Sequence, residues 1–152
     1  MRTGLAIAAV GLAAFVAVVV IRFDARRHGT DLPVETLYGA LVARPVPAAV
    51  RDLQGGGTTW QGYQIFLRFR APSLEEAGFA SPPYEEIDCE GMAARMAIPE
   101  SIDSPFEPPW SPGVGPRATC WQADEIRTEW THLGTHRVLF DGHVVHFVGS
   151  GS

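Results

Sequence analysis

Residues 5–21, LAIAAVGLAAFVAVVVI, contain no charged or strongly polar side chain. With Thr3, Gly4 and Phe23 the stretch approaches the ~20 helical residues that cross a bilayer core. A cleaved secretory signal is the competing reading, but its apolar region spans only about 7–15 residues and ends in a small-x-small site. Here the run is longer and ends in Val18-Val19-Val20-Ile21-Arg22, while the one tolerable match, Gly11-Leu12-Ala13, lies in mid-run. The pattern predicts an uncleaved, single-pass signal-anchor. Its expected organisation is an anchor at residues 1–23 touching lipid through 3–23, a basic linker at 24–31, one domain at 32–149 and a flexible tail at 150–152.

Orientation is set by two opposed signals. Arg22, Arg26 and Arg27 follow the run, against Arg2 and the amino terminus before it, which by the positive-inside rule holds the domain in the cytoplasm. A pair of cysteines suited to an oxidising compartment points the other way. We read the domain as extracytoplasmic. From Asp31 onward there are 8 Arg against 16 Asp plus Glu, a net charge of −8. An acidic domain repels phosphate backbones, so no nucleic-acid partner is expected. Lys and Asn are absent from all 152 residues. That removes a P-loop lysine, a Schiff-base lysine and any Asn-containing triad.

Residues 32–42 read as a short helix with Asp31 as cap, Pro33 in the first turn and Val34, Leu37, Tyr38 and Leu41 on one face. Residues 50–54 read as a short strand before a turn at Gly55-Gly56-Gly57. Over residues 63–70, Tyr63, Ile65, Leu67 and Phe69 alternate with Gln64, Phe66, Arg68 and Arg70, as a strand requires. Ser73 and Glu76 match a capping box for a brief helix. Cys89, Met92, Ala93, Met96 and Ala97 fall at helical spacing behind Asp88. Residues 101–117 hold five prolines and two large aromatics, Phe106 and Trp110, a loop length often tied to function. Asp141-Gly142 predicts a two-residue hairpin pairing Phe140 with His143, Val138 with Val145 and His136 with Phe147. Together these elements predict an α+β class: an N-terminal transmembrane helix, then a small antiparallel sheet with two or three short helices packed on it.

Four histidines, His132, His136, His143 and His146, crowd into fifteen residues and are the only metal-ligand candidates. On strands, His143 and His146 point to opposite faces, and no Glu completes a zincin pattern, so no metal is expected. Cys89 and Cys120 are 31 apart, which excludes CxxC chemistry and a zinc ribbon. They are left as either one disulfide or two buried thiols. Arg68 and Arg70 share a strand face, and Arg137 joins them if its strand lies alongside. These arginines and Trp110 are the candidate partner- or anion-binding residues.

No catalytic residue and no cofactor follow from these patterns, and the reading leans away from an enzyme. The expected function is a membrane-anchored, non-catalytic domain that binds another protein as an accessory subunit of an envelope complex. The alternatives are a metal-dependent enzyme using the histidine cluster and a purely structural envelope protein.

Overall fold

The alternation at residues 63–70 forms strand β2 (Tyr63–Arg70), which buries Tyr63, Ile65, Leu67 and Phe69 on one face and Phe66 on the other. It belongs to a computed structural model that describes residues 32–59, 62–79, 82–98, 112–128 and 133–152. The remaining strands are β1 (Arg51–Thr58), β3 (Glu85–Ile87), β4 (Thr119–Arg127), β5 (Leu133–Phe140) and β6 (Val144–Gly151). They make one sheet in the order β1-β2-β6-β5-β4-β3, antiparallel at every pairing. Strand β6 thus joins the β1–β2 hairpin to the β3–β4–β5 meander.

Each face has its own cover. Helix α1 (Val34–Leu41) starts after Pro33, whose carbonyl accepts from the N–H groups of Thr36 and Leu37. Its buried Leu37, Tyr38 and Leu41 pack on the first face with Phe79 and Tyr84 from the β2–β3 connection. Tyr38 meets Phe69 edge-on at 5.3 Å and donates its hydroxyl to the Ala77 carbonyl. Phe79 stacks on Phe69 and lies against Tyr84 and Phe147. On the second face Met92, Met96 and Ile98 cover Phe66, Leu139 and Val148. Burying side chains of this size stabilises a fold by about 1.5–3 kcal/mol each.

The expected α+β class is overturned. A six-stranded antiparallel sheet makes up most of the fold, with just two short helices among the described residues, α1 of eight residues and α2 (Met92–Arg95) of four. Helical spacing at residues 89–97 did not extend α2, because Gly91 turns the chain at φ +71° and the Cys89–Cys120 disulfide ties the segment to β4. After Ser73 the chain makes turns only, ended by Gly78 at φ +88°, although Ser73 Oγ still accepts from the Glu76 N–H at 3.2 Å. Among the described residues no helix is long and apolar enough to cross a membrane; the expected anchor and linker, residues 1–31, lie outside them.

Three local readings also change. Gly55-Gly56-Gly57 is strand, not turn: a Cβ at Gly55 would strike the Leu67 side chain and the Phe66 carbonyl, so glycine lets β1 lie close on β2. The final hairpin pairs Phe140 with Val145, Val138 with Phe147 and His136 with Gly149. That register is two residues from the expected one, because Asp141 Oδ1 accepts from the N–H groups of both His143 and Val144 and widens the loop. An even shift keeps every side chain on its expected face. Ser150 and Gly151, placed in a tail by sequence, pair with Gln64 and Tyr63 in β6.

Candidate functional site

Registers across the sheet gather arginines on the second face. Arg51 stands opposite Arg70 on β1 and β2, and Arg68 stands opposite His146 on β2 and β6. Arg137 is opposite Val148, so it lies on the same face but two strands from β2. Arg51, Arg68, Arg70 and Arg137 therefore occupy one face, which Arg127 on β4, opposite Leu133, shares, and β2, β5 and β6 carry no Asp or Glu. Arg51, Arg68 and Arg70 are exposed, while Arg137 is half-buried and its Nε has no hydrogen-bond partner. Burial first, and then the Arg68 charge, push His146 down to about 4, with Asp141 acting in the opposite sense. Beside Arg137, Asp124 is held below the usual carboxylate range by hydrogen bonds from Gln122 and Thr135, both at 2.8 Å, with the Arg137 charge adding to them.

One end of this face opens into a cleft of about 720 Å³ lined by Arg51, Asp52, Arg70, Glu76 and His143. A bulge between Arg51 and Gln54 puts Asp52 at φ +52°. The His143 carbonyl accepts from the Ala71 N–H at 3.1 Å, fixing the β5–β6 loop against the end of β2.

The first face holds a polar group that no solvent reaches. His136 is fully buried, with Nδ1 2.8 Å from the Tyr84 hydroxyl and Nε2 3.2 Å from the Tyr63 hydroxyl. Burial pushes His136 down to about 4 and both tyrosines up. A neutral imidazole has one N–H and one lone pair, so it donates to one tyrosine and accepts from the other. A buried network of this kind specifies packing.

The sequence candidates separate accordingly. Arg68, Arg70 and Arg137 share the face expected for the first two. Cys89 and Cys120 form a disulfide with a Cα–Cα distance of 5.2 Å. His136 and His146 lie on opposite faces and His143 on the exposed hairpin end. Among the described residues no three His, Cys, Asp or Glu side chains come together to hold a metal ion. Trp110 and His132 lie outside the described residues. Sequence reasoning missed Arg51, whose place opposite Arg70 depends on the bulge, and the tyrosine partners of His136. Compared with protein families, curated proteins and solved structures, the chain matches none.

Proposed function

We propose that this chain is a membrane-tethered, non-catalytic interaction domain, held outside the cytoplasm as an accessory subunit of an envelope complex. The observation that carries the interaction role is the segregation of Arg51, Arg68, Arg70 and Arg137 on one sheet face of a domain whose net charge is −8. A local excess of positive charge, even with Asp52, Glu76 and Asp124 at its margins, steers a complementary partner and fixes its register. The Cys89–Cys120 disulfide supports an oxidising compartment. The apolar run at residues 5–21 supports the tether.

The test replaces Arg68 by a photoreactive phenylalanine analogue in the full chain and irradiates native membranes. One discrete cross-linked adduct is expected. A chain that stays monomeric from positions 68 and 137 alike overturns the interaction role. Alkylation of both cysteines in intact cells without reductant would overturn the extracytoplasmic placement.

A further inference from the structure

We infer that Arg51 and Arg70 are the two walls of a binding site for a carboxylate-bearing peptide segment of a partner protein. This deepens the interaction role proposed above and rests on it. The two residues are direct cross-strand partners, on strands that neighbour at about 4.8 Å. Like charges placed opposite each other destabilise a sheet. Among the described residues neither guanidinium is joined to a carboxylate by an ion pair. A carboxylate seated between them reverses the sign of that interaction, and each guanidinium offers a planar fork suited to two parallel N–H···O bonds. The third side is His143, held by the hydrogen bond from Ala71 to its carbonyl and by the Asp141 side chain on its N–H. The cleft volume of about 720 Å³ lies in the range that accepts a small ligand or a few side chains.

Charge at the rim selects the class of occupant. Asp52 and Glu76 line the same cleft as the arginines. A uniformly negative surface, such as an anionic bilayer or a polyphosphate, would bring charge against both. A peptide presents its carboxylate to the arginines while neighbouring N–H groups or a basic side chain face Asp52 and Glu76. Mixed lining of this kind fits a peptide.

The experiment uses the full chain in nonionic detergent micelles with a rhodamine-labelled, end-capped Glu-Glu-Arg-Gly peptide, read by anisotropy. Binding is expected, and Arg51→Ala or Arg70→Ala should each weaken it tenfold or more. Arg95→Ala, on α2 at the other end of the sheet, should leave it unchanged. Unfolding temperatures of all three variants confirm that the fold is retained. Absence of binding, or equal binding by the parent and the Arg51 and Arg70 variants, overturns the site. Displacement of the peptide by phosphatidylglycerol added to the micelles, or by millimolar inorganic phosphate, overturns the peptide class. A cross-link from position 68 that persists when peptide binding fails would leave the interaction role standing and reject this cleft alone.

Discussion

The Tyr84 hydroxyl lies 2.8 Å from His136 Nδ1, joining the chain just before β3 to the middle of β5 inside the first-face core. His136 is fully buried, and Tyr84 is the partner of its Nδ1 among the described residues. Tyr84→Phe therefore leaves a buried ring nitrogen unsatisfied, which costs about 1–3 kcal/mol. Urea unfolding should show that loss as a lower midpoint with an unchanged slope. Tyr63→Phe, acting on the longer 3.2 Å contact, should cost less. If the order of the two losses were reversed, the shorter contact would not be the stronger one.

Acid should weaken the fold through its buried histidines. His136 and His146 are both pushed down to about 4, chiefly by burial, against about 6.5 in an unfolded chain. Between those values the unfolded chain binds more protons than the folded one, so stability is full above about pH 6.5 and declines as pH falls toward 4. Urea midpoints at pH 7.5, 5.5 and 4.5 should descend in that order. His136→Gln should flatten the slope. A midpoint independent of pH across this window would contradict the burial of both rings as neutral groups.

Loss of the disulfide removes a constraint on a loop of 31 residues. By loop entropy that is about 3.7 kcal/mol. The Cys89→Ala, Cys120→Ala double variant should unfold at lower denaturant by an amount in the range of about 2–4 kcal/mol. Parent protein taken from native membranes under alkylating conditions should gain mobility on a non-reducing gel relative to its reduced form.

Two glycine substitutions should differ sharply. A Cβ at Gly134 would collide with the Tyr63 hydroxyl and the Ser150 carbonyl. Gly134→Ala must displace β6 or the His136 network, and a loss above about 3 kcal/mol is expected, as for other overpacked or network-breaking changes. Gly142 lies at φ +96° with open space around a Cβ, so Gly142→Ala should cost only about 1 kcal/mol of backbone strain. Thermal melts of the two variants decide the comparison.

Much of the sheet was legible because some positions are dictated locally. Tyr63, Ile65, Leu67 and Phe69 alternate without interruption, and two-sided burial follows once Phe66 is counted. The helix at Val34–Leu41 was likewise carried by four apolar residues at the right spacing. Where side-chain chemistry overrode pattern, the sequence reading failed. Asp141 bonds to two backbone N–H groups, and no propensity rule distinguishes that loop from a two-residue turn. The triple glycine looked like a turn because its reason for being glycine, the approach of Leu67, lies on another strand. The basic face was half legible: Arg68 and Arg70 are fixed by one strand, but Arg51 enters only through a bulged cross-strand register. The Tyr63–His136–Tyr84 network needs two separate long-range contacts, and a single strand's pattern carries no trace of either.

Placing β6 between β2 and β5 has a temporal consequence during synthesis. The β1–β2 hairpin and the β3–β4–β5 meander share no hydrogen-bonded strand among the described residues until residues 144–151 arrive. Until then the inner edges of both halves stand open, and Tyr63, Phe66 and Phe69 lack the strand that shields them. A domain delivered one residue at a time must therefore wait for its last strand before either half is safe from mispairing. A stop codon a few residues upstream of Val144 would leave two unjoined half-sheets where the complete chain has a continuous one.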